Sequence, residues 1–285
     1  MIAMARHASS PRRAMGPTVS FLILCLIALV VVLPFAWMVA SSLRTNAALL
    51  SVPFHWWVWP PRLVNYVRAV TEIPFLRELG NTALLSVASV VGTTLSASMA
   101  AYALARLTWP GRQVVFWILL ATMFLPGVVT IVPVYLIFRD VGLLGTYFPL
   151  IIPAWLAPPF SVFLLRQFFL TVSGSLSEAA RLDGANEWQI FSRVIVPVSR
   201  PALATVAVLS FVATWTDYLS PLIYLSSPSQ WTLSVGLDAF VGTHSAAWNL
   251  LMAASVLFTV PLIVVFFVGQ RYFTQGIQLS SSEAG

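Results

Sequence analysis

Lysine is missing from this chain: all 15 of its basic residues are arginine. A Walker A loop uses a lysine to reach nucleotide phosphates, so the polypeptide is excluded as a standard P-loop ATPase. Charge of either sign is scarce, at 8% of residues against about a quarter in soluble domains, and most of the surface is therefore unsuited to water. Cysteine is reduced to Cys25, which sits in an apolar run; an internal disulfide is excluded and the redox compartment stays unread. The histidines are His7, His55 and His244, none with a carboxylate at metal-ligand spacing. An intramembrane enzyme would need convergent nucleophile, base or metal-binding groups, and the sequence does not offer them. The net charge of +6 is scattered rather than clustered on one face, which argues against nucleic-acid binding.

Hydrophobic residues make up 59% of the chain, and the mean hydropathy is +0.89. A length of 285 residues would accommodate one or two soluble domains, but this hydropathy points to several helices sharing one membrane-embedded bundle. A span needs about 20 helical residues. Six stretches qualify: Val19–Ala40, Asn81–Ala105, Gln113–Phe138, Thr146–Leu165, Pro201–Leu225 and Ala246–Gln270. Pro34, Gly92, Pro126 and Pro133 would disturb a soluble helix, whereas a membrane bundle satisfies the freed backbone groups from neighbouring helices. The first run exceeds a signal-peptide core of roughly 7–15 residues and no A-x-A site follows it, so it reads as an uncleaved span.

The expected class is thus an all-α polytopic membrane protein of about six transmembrane helices. Its expected parts are an inner tail (1–18), a first helix (19–40), an outer segment (41–80), a core (81–270) holding an inner loop (166–200), and an inner tail (271–285). With both ends inside, the inner arginines are Arg6, Arg12, Arg13, Arg106, Arg112, Arg166, Arg181, Arg193, Arg200 and Arg271; the outer ones are Arg44, Arg62, Arg68, Arg77 and Arg139. Ten against five is the direction of the positive-inside rule.

The inner loop carries the most information. Ser175 followed three residues later by Glu178 predicts a capping-box helix start, and Gly184 suits a left-handed helix end. Asn186 is placed to cap a second helix with Glu187 in its first turn, and Pro197 and Pro201 punctuate the return to the membrane. The product is a helix–glycine–helix elbow offering small residues, Ala179 and Ala180, on one arm. Trp188, Ile190 and Phe191 are expected to be exposed on the other, needing cover from a partner or from lipid. From local chemistry alone an amphipathic linker resting on the bilayer serves equally well.

Glu178, Ala179, Ala180, Gly184 and Pro197, with Val194 and Val196 in place of Ile and Leu, resemble the Glu-Ala-Ala loop of ABC-importer permeases. Asn65-Tyr66, Asn81, Ala101-Tyr102-Ala103 with Arg106, Arg166, Trp215-Thr216-Asp217-Tyr218, Pro221-Leu222 and Gln270-Arg271-Tyr272-Phe273 extend the likeness to the second permease of maltose-type sugar importers. Departures are Ser173 where a proline is usual, Thr216 where an asparagine is common, and the absence of a Lys-Gly ending. The resemblance implies the importer-permease fold in a bacterial or archaeal cytoplasmic membrane. It also implies a transport role without catalysis, in which the chain forms half of a pathway for a sugar or sugar-like solute, or for a glycerol-phosphate ester. Implied partners are a cytoplasmic ABC ATPase dimer that uses ATP and Mg, a sister permease, an extracytoplasmic solute-binding protein and membrane lipid; no cofactor or metal is implied for this chain. Glu178, Ala179, Ala180, Asp183, Gly184 and Pro197 would couple to the ATPase, and Asp238 and His244 in the outer loop Ser226–Ser245 would dock the binding protein.

Asp217 is the one acidic residue within an expected span, and with Trp215 and Tyr218 it is a candidate for the translocation pathway. Capping of nearby backbone by Asp217, and interfacial anchoring by Trp215 and Tyr218, remain open beside that reading. Ser86, Ser89, Thr93, Thr94, Ser210 and Thr214 read as helix-packing residues. An ion-coupled carrier would normally show several mid-membrane ionisable groups and repeated halves; only Asp217 qualifies, and no repeat is visible.

Overall fold

A computed structural model describes residues 17–49, 51, 59–242 and 246–281, with side chains described within 18–270. The helices run α1 (Pro17–Ser42), α2 (Asn46–Leu49), α3 (Val64–Thr71), α4 (Phe75–Ala105), α5 (Arg112–Thr122), α6 (Gly127–Asp140), α7 (Phe148–Trp155) and α8 (Pro159–Thr171). They continue as α9 (Gly174–Leu182), α10 (Glu187–Ile190), a π-helical turn Phe191–Ile195, α11 (Val196–Val198), α12 (Arg200–Trp215), α13 (Leu219–Tyr224), α14 (Leu233–Gly236) and α15 (Trp248–Ser281). Four of the described helices or helix runs are long and apolar enough to cross a membrane, and two bent pairs bring the number to as many as six.

The bundle is organised around α4, which packs against α7, α8 and α12, while α15 covers α12 and α1 lies against α15. The α1 side chains Phe21, Leu24 and Leu29 are more than half exposed, a surface suited to lipid. Small residues let helices approach α4 closely. A Cβ added at Gly92 would lie 2.4 Å from the Trp155 ring, so α7 seats its indole directly on the α4 backbone. Beside it, Ser96 Oγ donates to Ala154 O at 3.2 Å and accepts from Ala157 N at 3.1 Å. One hydroxyl thereby satisfies the backbone freed where α7 breaks before α8, as an apolar surround requires.

Several expected spans are interrupted. Gln113–Phe138 is not one helix: α5 and α6 meet at 103°, because Pro126 lacks an N–H and excludes the helical conformation from the residue before it. Pro201–Leu225 divides too, α12 stopping at Trp215 and α13 starting at Leu219. Asn81 does not open the second span, since α4 already begins at Phe75 and takes in part of the expected outer segment.

The end of the molecule away from the elbow is folded rather than looped. Residues expected as a loop after Ser226 form short helices, including α14, whose Leu233 is fully buried beside Phe75, Phe240 and Leu250. Long-range polar bonds hold this cap. Asn81 Nδ2 donates to the carbonyls of Ser229 and Trp231, and Leu233 N donates to Thr82 Oγ1 at 2.8 Å. Asn65 donates to the carbonyls of Ser42 and Arg44 and accepts from Asn249. Asn46 accepts from Trp248 N and so caps α15 from 202 residues away in sequence.

Candidate functional site

The elbow is built by three local devices. Ser173, not Ser175, caps α9: its side chain accepts from Ser175 N, so the expected Ser175–Glu178 capping box is replaced by a cap two residues earlier. Alternating serines at 173, 175 and 177 offer rival caps, and Gly174 lets the helix begin at the first. At the other end of α9, Gly184 has φ +82°. Gly184 N donates to Arg181 O at 3.0 Å and Ala185 N to Ala180 O at 2.9 Å, the paired bonds of a Schellman motif. Ala180 and Ala185 both pack on the core beneath, which supplies the motif's apolar contact and assigns the two alanines of Glu-Ala-Ala different environments: Ala179 is exposed and Ala180 turns inward. Asn186 and Gln189 then form a reciprocal capping box on α10.

Of the three apolar residues expected to be exposed on the second arm, only Trp188 is. Ile190 and Phe191 are 0% and 7% exposed, buried in the cluster that α4 and α8 supply, with the Phe191 ring against Tyr102. Pro197 lies within the run Glu187–Val198, and the chain turns instead at Ser199, where that run meets α12 at 79°. Glu178, Asp183 and Gly184 are exposed. Glu178 and Asp183 side chains make no hydrogen bond or ion pair among the described residues. The surface they share is a rigid knob whose shape is fixed from within.

Arginines pin the elbow's surroundings. Arg106 donates to Val172 O, Arg166 donates to Leu104 O at 3.3 Å and sits 3.8 Å above the Phe116 ring, and Arg112 donates to Leu107 O at 2.9 Å. Cations at helix C-terminal carbonyls are favoured by the helix dipole. Glu187 accepts from Arg181 Nε and Nη2 at 3.0 and 2.9 Å and from Tyr102 Oη at 2.7 Å. The Tyr102 hydroxyl, followed by Arg181, holds the Glu187 carboxyl below the usual carboxylate range against the opposing effect of burial.

At the far end of α12 the candidate pathway residues part company. Trp215 is buried, stacked between Phe211 and Phe258, and its indole donates to Phe258 O at 3.1 Å; it lines neither cavity described next. Asp217 lies outside the helices, in the α12–α13 connection, where Oδ1 accepts from Ser220 N at 3.1 Å. It therefore caps backbone, and it also lines two adjoining cavities of about 180 and 360 Å³. The first is bordered by Leu85, Thr214 and Thr232, the second by Thr130, Ser220 and Tyr224. Tyr218 donates to Asp238, joining a candidate pathway residue to a candidate docking residue. His244 lies outside the described residues.

Sequence reading missed Glu78. It is 2% exposed and meets Gly236 of α14, where an added Cβ would fall 1.9 Å from Glu78 Oε2. The local signal is a lone glycine in the sequence Ser-Val-Gly-Leu; its counterpart on α4 is invisible without the fold. It also missed the Tyr102–Glu187 contact, which spans 85 positions.

Residues 92–279 match the model of a family described as binding-protein-dependent transport system inner membrane component. The chain is 32% identical over 275 residues to a diacetylchitobiose uptake system permease protein of Streptomyces coelicolor, covering 94% of this chain and 89% of that protein. It is 31% identical over 275 residues to an sn-glycerol-3-phosphate transport system permease protein of Brucella abortus, covering 93% and 97% respectively. Among solved structures it resembles a chain of a bacterial ABC transporter involved in import of the acidic polysaccharide alginate, with a TM-score of 0.78 and 28% identity over 90% of this chain and 95% of that one.

Proposed function

The chain belongs to the family of binding-protein-dependent transport system inner membrane components, and from that premise we propose that its elbow is the surface on which a cytoplasmic ATPase docks. The protein is a multi-pass inner-membrane transport subunit of an ABC importer and not an enzyme. The proposal covers its finer workings: both termini inside, ATP and Mg used by the ATPase, a sister permease completing the pathway, and a binding protein delivering solute to the opposite face. The observation that carries the proposal is the Schellman-locked elbow, which presents Glu178, Ala179, Asp183 and Gly184 outward on a frame clamped to the bundle. An unpaired exposed carboxylate beside a small-residue face suits close, charged docking. The distribution of arginines supports the placement of this end in the cytoplasm.

The solute is proposed to be a neutral sugar, with Asp217 beside its route. Among the described residues, the two cavities that share Asp217 are lined by this carboxylate, hydroxyls and apolar groups and by no arginine. That lining disfavours a phosphate ester or a uronate, whose charge would meet an uncompensated carboxylate. Asp238 and Tyr218 lie at the same end and are proposed to contribute to the binding-protein face, together with His244.

Co-expression with the cognate ATPase and sister permease tests the docking surface. The expected result is a detergent-stable complex that Glu178→Arg weakens while leaving membrane insertion intact. A complex indifferent to charge reversal at Glu178 refutes it.

A further inference from the structure

Glu187 makes polar bonds that join three elements. It opens α10, it is gripped by Arg181 of α9, and it accepts the hydroxyl of Tyr102 on α4. Tyr102 is 5% exposed and its ring packs on Phe191 at 5.2 Å, so this bond leaves the elbow and enters the bundle. The capping box of Asn186 and Gln189 brackets the carboxylate and fixes its backbone. Beyond it the run Glu187–Val198 turns by 79° into α12.

Both helices reached from this carboxylate contribute to the wall of the first cavity, which α7 and α13 complete through Leu150 and Pro221. Leu85 comes from α4, and Ala213 and Thr214 come from α12, with Asp217 just after it. A displacement of α9 by a partner would pull Arg181, hence Glu187, hence both α4 through Tyr102 and α12 through the covalent chain. Apolar contacts resist compression but slide; two guanidinium N–H bonds to Glu187 Oε1 and a phenol bond to Oε2 resist tension as well.

We propose that Glu187 is the positioning residue that carries movement of the elbow into α4 and α12, and so couples nucleotide state at the ATPase to the shape of the outer cavity. The inference rests on the docking role proposed above. Coupling means that nucleotide and cavity bias the same two arrangements of one element, and the test reads the two ends separately.

The experiment uses the full complex with the sister permease and ATPase. Cys25, the single cysteine, is replaced by serine, and Thr214→Cys places a reporter in the wall of the first cavity, on α12. The rate of modification by a membrane-impermeant maleimide is measured without nucleotide and after trapping with ATP and vanadate, and the nucleotide trapped on the ATPase is quantified in parallel. The reporter parent is expected to change rate between the two states. Glu187→Ala is expected to shrink that change by about ten-fold, the factor for losing a hydrogen bond to a charged group, with trapping unaltered. Glu187→Gln, which still accepts from Tyr102, and Tyr102→Phe, which keeps the ring, are expected to fall between.

A full reporter response in Glu187→Ala overturns the proposal. Loss of trapping together with the response assigns Glu187 to docking instead and also overturns it. A reporter parent that traps nucleotide without changing rate contradicts the transport pathway itself, and the proposal falls with it.

Discussion

Gly184 permits a prediction in which strain and contact separate. Its φ of +82° lies where a side chain's Cβ crowds the following carbonyl, a cost of about 1–2 kcal/mol for an L-residue. Steric crowding by neighbours adds nothing, because no heavy atom lies within 4 Å of an added Cβ. Gly184→Ala should therefore weaken the closing bonds, Gly184 N to Arg181 O and Ala185 N to Ala180 O, by the strain alone. At 1.4 kcal/mol per ten-fold that is about a 5- to 30-fold rise in opening of the turn, read as faster amide hydrogen exchange at Gly184 and Ala185 in the solubilised protein. Gly184→Asn should lose less, since asparagine visits this region more readily. Gly184→Phe should match alanine in the isolated chain, yet bind the ATPase more weakly than alanine does if the partner comes close over this residue. Unchanged exchange in Gly184→Ala, or a greater loss with asparagine than with alanine, would refute the strain argument.

Gly236→Ala drives a Cβ to within 1.9 Å of Glu78 Oε2 and should lower stability by about 1–3 kcal/mol, the range for overpacking. Thermal unfolding in detergent measures this, and Glu78→Ala in the same background should recover part of the loss; purely additive losses would contradict the contact. The Glu187 carboxyl is depressed in the folded protein, so its contribution is present above the unfolded value of about 4.3 and is lost as pH falls through the lower folded one. The clasp should accordingly hold across pH 5–8, and the carboxylate titration followed by infrared or carbon NMR should move upward in Tyr102→Phe. A midpoint unmoved by that substitution would detach the phenol from the carboxylate.

How much of this was legible in the sequence depends on the range of the interactions. The hydropathy of α1 and α15 announces them, and Gly184 and Asn186 announce the elbow, because each device is completed within a few residues. The breaks at Pro126 and after Trp215 are less legible: hydropathy is continuous through both, and Pro126, rather than being tolerated within one helix, stands at the start of a second. The start of α9 is ambiguous in sequence because three alternating serines compete for one cap, which Ser173 takes. Ile190 and Phe191 find their cover within the chain, under α4 and α8, and no local pattern announces which helices lie over this arm. Least legible was the far cap. Its bonds link Asn81 to Ser229 and Thr82 to Leu233 across about 150 positions, and no local pattern encodes such partners. Asn65 and Asn81 carried the family likeness before their physical use was visible; in the structure they tie α1, α4 and α15 to the cap.

The account depends on the elbow meeting an ATPase at the cytoplasmic face. Cross-linking from position 178 tests this most directly, with Glu178→Cys in a Cys25→Ser background of the complete complex. The account predicts a covalent adduct between this chain and the ATPase, with no modification by an impermeant thiol reagent added outside intact cells. Modification from outside, without an ATPase adduct, would contradict it.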